Sequence, residues 1–160
     1  MNRTWRQIGL FALLLAADQA SKWWIEQQLP FYHLKVIDGF FSIIKAHNFG
    51  VAFSMFAHWS NPWRENLLLG VTIGIAAAVF VWWLRERRDT GIVPWLLVMI
   101  MAGAAGNIWD RLYYGYVVDF LDVYIRWNGT EYHWPTFNIA DSCITVAVVL
   151  LLFVSFRKGQ

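Results

Sequence analysis

Asp119 and Asp141 are the residues in this chain best suited to chemistry. Each is a carboxylate set against strongly apolar sequence, with no cation at helical spacing to neutralise it. Asp119 lies in Val117-Val118-Asp119-Phe120, and Asp141 ends Phe137-Asn138-Ile139-Ala140-Asp141. Asn138 stands where an N-cap would, which puts Asp141 in the first turn of a helix whose dipole favours its charged form. Two carboxylates within hydrogen-bond reach cannot easily both ionise, so they share one proton. A water held between them can then attack a peptide carbonyl, with one carboxylate as base and the other as acid. That chemistry needs neither a metal nor a covalent intermediate. Asp122 is as free of sequence-local partners as Asp119, and the residues alone do not choose between them.

Other polar residues gather near this pair. Asn107, Asp110 and Arg111 share a helix face, with Gly103 one turn earlier. Asp110 beside Arg111 reads as a structural pair. Asp18 and Lys22 are four residues apart and can neutralise each other on one face, as an ion pair or as a wall of a polar site. The four histidines (His33, His47, His58, His133) are scattered and form no His-Glu-x-x-His zinc pattern. Cys143 reads as a small packing residue. Ser54 and Ser142 have no evident base, and no phosphate-binding loop occurs. No metal and no cofactor is expected.

The elements that must position these groups are membrane helices. Of 160 residues, 58% are hydrophobic, and eleven Trp and six Tyr suit aromatic belts at two interfaces. A formal charge of +2 gives no reason to expect a nucleic-acid partner, and one cysteine excludes an internal disulfide. The spacing predicts one integral membrane domain over 1–160, with four spans at about 8–27, 67–84, 92–109 and 139–156. The first span has a basic head and a short apolar run, as a secretory signal peptide would, but three more spans follow it. Gly70 and Gly74 in the second form a small-xxx-small pair suited to close helix packing. Two β-rich inserts, about 29–66 and 112–137, separate the spans. The first reads as strand, Asp38-Gly39 turn, strand; the second carries alternation around Asn128-Gly129, a strong hairpin signal. Arg3, Arg6, Arg85, Arg87, Arg88, Arg157 and Lys158 fall on one side, which places both termini in the cytoplasm and both inserts outside. Asp18, Lys22, Asn107, Asp110, Arg111 and Asp141 then converge on the outer level of the spans, and the inner halves stay apolar.

Five blocks carry a resemblance to a known family: Asp18-x-x-x-Lys22, Asn48-x-Gly50-x-Ala52-Phe53-Ser54, Gly106-Asn107-x-x-Asp110-Arg111, Val118-Asp119-Phe120 and Phe137-Asn138-x-Ala140-Asp141. In this order, across nearly the whole chain, they resemble the bacterial lipoprotein signal peptidases (signal peptidase II), which are aspartic intramembrane proteases. One departure is Ala102-Gly103-Ala104-Ala105-Gly106, with Ala where Gly is expected first and Leu fourth; it bears on local packing alone. The resemblance implies a four-helix membrane fold with an outer β-cradle and a short outer helix. It selects Asp119 with Asp141 as the catalytic dyad. Asn48, Gly50, Asn107, Arg111 and Asn138 become supporting residues, and Asp18, Lys22 and Asp110 the framework. It implies cleavage of diacylglyceryl-modified prolipoproteins just before the lipidated cysteine, at the outer leaflet of the bacterial inner membrane. It also implies inhibition by cyclic peptides of the globomycin type, membrane lipids as surroundings, and a monomer. Phe40, Phe41 and Phe53 are candidates to cover the scissile bond. The competing classes are a small ion- or proton-coupled transporter and a non-enzymatic assembly factor that docks through the β insert. A transporter would need polar groups through the inner halves of the spans, and an assembly factor would survive loss of both aspartates.

Overall fold

The structure, a computed structural model, describes residues 2–28, 33–50 and 62–158. Ala52, Phe53, Ser54 and His58 lie outside the described residues, as does any short outer helix there. Four long helices and one small sheet follow in the order α1 (Arg3–Gln27), β1 (His33–Ile37), β2 (Phe41–Asn48), α2 (Pro62–Glu86), α3 (Val93–Tyr113), β3 (Val117–Trp127), β4 (Thr130–His133) and α4 (Ile139–Lys158).

Local chemistry sets the helix ends. The Asn2 side chain accepts from Thr4 N at the start of α1, so the helix takes in Arg3 and Arg6 rather than beginning after them. Pro94 stands in the first turn of α3, where its missing N–H is no loss. At the other end Gly115, with φ of 80°, adopts the left-handed conformation that stops the helix, and its N–H bonds Arg111 O.

Among the described residues three helices are long and apolar enough to cross a membrane: Asn66–Glu86, Val93–Tyr113 and Ile139–Arg157. The first helix, α1, carries Arg3, Arg6, Asp18, Lys22 and Glu26 and is more polar than these. α3 is the central post, packed against α1, α2 and α4. Two thirds of its apolar window is buried (67%), against 6% for α2 and 17% for α4. The outer helices therefore turn their Leu, Val, Ile and Phe side chains outward, as a lipid-facing surface requires.

Glycines let α3 serve as that post. A Cβ on Gly103 would collide with Ala140 O and lie 2.8 Å from Ile144 Cγ1, and one on Gly106 would collide with the Asp18 carboxylate. These two positions share a face and admit the start of α4 and the polar side of α1. Gly70 and Gly74 do no such work: a Cβ at either meets nothing within 4 Å. Among the described residues the close helix packing expected of that pair is absent, because α2 turns this face away from them.

The two inserts build a single four-stranded antiparallel sheet in the order β1-β2-β3-β4. Both hairpins form as their sequences predict, with Gly39 at φ 79° in one and Asn128 and Gly129 at φ 49° and 78° in the other. Their junction, β2 against β3, pairs Ala46 with Asp119 and Asn48 with Val117. Ile25 near the end of α1 packs on Val118 and Phe120 and fastens the sheet to the helices. Phe137 exchanges backbone bonds with Leu121 (2.8 and 3.1 Å), which docks the segment before α4 against β3.

Gly103→Ala is expected to cost about 1–3 kcal/mol by overpacking, whereas Gly70→Ala should be neutral or stabilise by up to about 1 kcal/mol through helix propensity. Thermal unfolding of the two purified variants in detergent checks the contrast. Equal destabilisation would contradict the packing described.

Candidate active site

A buried ion cluster lies beneath the two aspartates. Lys22 is 1% exposed, and its ammonium spends its three N–H groups on Asp18 Oδ2 (2.8 Å), Asp110 Oδ2 (2.9 Å) and Asn107 Oδ1 (3.0 Å). Asp110 thus pairs with Lys22 on another helix, not with Arg111 as its sequence position suggests; the Arg111 guanidinium instead reaches Asn107 O at 3.4 Å. Two carboxylates against one ammonium leave an excess negative charge, which N–H donors offset. Gln19 Nε2 donates to Asp110 Oδ1 (3.0 Å) and Asp18 Oδ2 (3.1 Å), Val118 N to Asp110 Oδ2 (3.1 Å), and Ala140 N to Asp18 Oδ1 (2.9 Å). Asp18 therefore also serves the open N–H groups at the start of α4. Gln19 is not singled out by the sequence; its one signal is an amide directly beside Asp18, after an apolar run.

This cluster orients the groups above it. With Asn107 Oδ1 turned to Lys22, Asn107 Nδ2 must point the other way, and it donates to Asp141 Oδ1 at 2.7 Å. Asn138 is the N-cap expected of it: its Oδ1 accepts from Asp141 N (2.9 Å), and Asp141 Oδ2 accepts in return from Asn138 N (3.4 Å). The exchange has the form of a capping box. The Asn138 amide also donates to Asp119 Oδ1 at 2.8 Å. Asn138 therefore touches both aspartates. Asn48 holds the other oxygen of Asp119 from β2 at 2.9 Å, while its own Oδ1 accepts from Gly50 N in a tight turn. Gly50 has φ of 81°, which explains a glycine there.

Asp122 stands apart. Three residues along a strand reverse the face, so Asp122 points away from Asp119. It is not free of partners either: His133 Nδ1 lies 2.8 Å from Asp122 Oδ1. Phe40 and Phe41 also miss the site. Phe40 precedes β2 and Phe41 opens it, at the end opposite Asn48 and roughly 23–26 Å from it at 3.3 Å per residue. Next to Asn48 in the chain, the Phe49 ring makes edge contact with Tyr116 at 5.4 Å. Beside Asn48 and Arg111 a cavity of about 80 Å³ opens, bounded by Phe49, Leu68, Leu69 and Gly115. Among the described residues no cluster of His, Cys, Asp and Glu fits a metal ion.

Among the described residues neither Asp119 nor Asp141 forms an ion pair. Burial pushes the Asp119 carboxyl up to about 6, helped by the neighbouring Asp141 charge and opposed by the amides of Asn48 and Asn138. An acid of this kind, held near a second carboxylate and wrapped in amide donors, is suited to passing a proton at moderate pH.

The comparisons with known proteins agree with one another. The family model described as signal peptidase (SPase) II matches residues 10–157. The lipoprotein signal peptidase of Solibacter usitatus is 42% identical over 162 residues, covering 98% of this chain and 93% of the relative. That of Alteromonas mediterranea is 35% identical, covering all of this chain and 88% of the relative. A bacterial membrane enzyme solved by the in meso method at 2.3 Å superposes with a TM-score of 0.78 at 26% identity, covering 97% of this chain and 90% of the other.

Two outcomes follow from the geometry. Lys22→Met leaves two buried carboxylates unneutralised and should destabilise the protein by about 3–5 kcal/mol, read as a large drop in the detergent unfolding midpoint. For Asp119, a carboxyl at about 6 instead of 3.8 binds its proton more tightly folded than unfolded. Its contribution is therefore full below about pH 4 and is lost as pH rises through 6, by up to about 3 kcal/mol at 1.4 kcal/mol per pH unit. Asp119→Asn should remove that part of the decline, so unfolding midpoints at pH 4.5 and 7.5 should lie closer together in the variant than in the wild type.

Proposed function

The chain belongs to the signal peptidase II family, a family of membrane proteases, and on that premise we propose that it removes signal peptides from diacylglyceryl-modified prolipoproteins with Asp119 and Asp141 as its catalytic dyad. The observation that carries the reading is Asn138, whose side chain and backbone hold both carboxylates at the end of an apolar helix. Cleavage falls just before the lipidated cysteine, and the enzyme acts as a monomer.

The dyad shares one proton and binds the attacking water. Asp141 Oδ2, held only by the 3.4 Å bond from Asn138 N, is the freer oxygen to take the water's proton. As that proton leaves, the water oxygen bonds to the scissile carbonyl carbon, and the protonated partner gives its proton to the carbonyl oxygen. The tetrahedral diol then collapses: one diol hydroxyl returns its proton to the ionised carboxylate as its oxygen re-forms the carbonyl, the C–N bond breaks, and the departing amine of the cysteine takes the proton held by the other carboxylate. Asn48, Asn107 and Asn138 keep the carboxylates in place through these transfers. Gly50 supplies the turn that Asn48 needs, and Arg111 lies beside the cavity to hold a backbone carbonyl of the extended substrate. Asp18, Lys22 and Asp110 are the framework beneath.

The topology belongs to the same proposal. α1 crosses the bacterial inner membrane with the other three helices, because α3 and α4 cover its buried charges. Arginines at the starts of α1 and the ends of α2 and α4 keep those ends and both termini in the cytoplasm. The sheet and dyad then meet the outer leaflet, where a lipidated substrate presents its cysteine without leaving the bilayer. Cyclic peptides of the globomycin type occupy the same cleft.

Hydrolysis of a diacylglyceryl-modified prolipoprotein by purified protein tests the dyad. Asp119→Asn and Asp141→Asn should each lower the rate by at least 10²–10⁴-fold, the range of a lost general acid or base, with the fold intact. Asp122→Asn should stay within a few-fold of wild type. Persisting activity in either of the first two would remove the dyad.

A further inference from the structure

At the end of the bundle opposite the dyad, α1 and α2 both pack on α3 but scarcely touch each other. Between them lies a groove of about 340 Å³, walled by Ile8 and Phe11 on one side and Phe80 and Trp83 on the other, with Val98 and Met101 as its floor. Its polar atoms are all engaged: Gln7 Oε1 accepts from Trp83 Nε1 (2.9 Å), and Gln7 Nε2 donates to Arg87 O (3.2 Å). These bonds close the groove at one end. It opens sideways, where Ile8 and Phe80 are 42% and 47% exposed. Its lining offers an occupant apolar contact and nothing else.

The closed end is strongly basic. Arg3 lies one helical turn before Gln7, on the same face. Its Nη2 bonds Thr90 O and Gly91 O, while its Nε is buried without a hydrogen-bond partner among the described residues. The Arg87 guanidinium sits 5.9 Å over the Trp83 ring, at the top of the groove wall. Arg6, Arg85 and Arg88 add three more cations against Glu86 and Asp89, and Asp89 is already turned back to Gly91 N. We propose that this groove holds an acyl chain of an anionic bilayer phospholipid, whose phosphate is met by Arg3 and Arg87. Charge decides the occupant. The signal peptide of a substrate is basic at its head, and the same arginines repel it. An anionic headgroup is attracted, at about 1 kcal/mol per basic residue near the surface. The site goes beyond the proteolytic reading and does not depend on it.

The test uses the full chain in a neutral detergent, supplied with phosphatidylglycerol or phosphatidylcholine carrying identical acyl chains. Native mass spectrometry reads lipid retention, and the unfolding midpoint reads its effect. Phosphatidylglycerol should be retained at least ten-fold better and should raise the midpoint by several degrees. Arg87→Gln should cut that preference about five-fold, and it leaves the backbone carbonyl bonded to Gln7, so the groove keeps its shape. Ile8→Trp, which fills the open side, should reduce retention of both lipids. Arg157→Gln, a charge control on α4, should change neither. Equal retention of the two lipids overturns the proposal. So does a preference undiminished in Arg87→Gln, or one reduced equally in Arg157→Gln. The cleavage assay on Asp119 and Asp141 variants is read separately, so the two readings can fail independently.

Discussion

A lysine ammonium buried in an apolar bundle is the constraint on which the rest of this structure depends. Such a charge is tolerable only with its hydrogen-bonding capacity filled by charged or polar partners. Lys22 meets that condition with Asp18, Asp110 and Asn107, taken from two helices. Satisfying the lysine fixes the rotation of α1 against α3. It also fixes the direction of the Asn107 amide and, through that amide, the position of Asp141. The two carboxylates in turn receive backbone N–H groups from the sheet at Val118 and from the start of α4 at Ala140. One charge therefore ties three helices and a strand to a common origin. Gly103 and Gly106 are the steric counterpart, since that origin exists only if the backbones approach closely.

The proteolytic chemistry uses what this framework leaves over. In the proposed reading the ion cluster is saturated and takes no part in proton transfer, while the two carboxylates above it carry no ion pair. The amides of Asn48, Asn107 and Asn138 stand between the two layers. An amide can orient a carboxylate without neutralising it, which is why an asparagine suits these positions and a lysine or arginine does not.

The sequence makes much of this legible and hides the rest for identifiable reasons. Helix number and approximate limits follow from apolar runs, and both hairpins follow from Asp38-Gly39 and Asn128-Gly129, because these are local properties. The cap at Asn138 is local too. Asp119 against Asp122 was not decidable from pattern, because strand β3 begins with four buried residues and shows no alternation of polar and apolar sides. Asp110 was misassigned to Arg111 because adjacency in sequence is not contact on a helix; its partner lies 88 positions earlier. Gln19 was overlooked for the same reason, being unremarkable until Asp110 is placed beside it. Phe40 and Phe41 were credited with covering the site on composition, and strand direction puts them at the far end. What escaped is long-range geometry.

The pairing of β2 with β3 joins an insert from the first third of the chain to one from the last, and Asp119 takes its two amide donors from positions 71 residues before it and 19 after it. Contacts of such sequence separation form late, since the intervening chain must first be ordered. A ribosome making this protein releases α1, the first hairpin, α2 and α3 before Asn138 and Asp141 exist. In the proposed reading, the hydrolytic machinery is thus incomplete until α4 has been made. On that reading, a chain stalled before α4 lacks Asn138 and Asp141 and cannot hydrolyse a peptide until synthesis resumes.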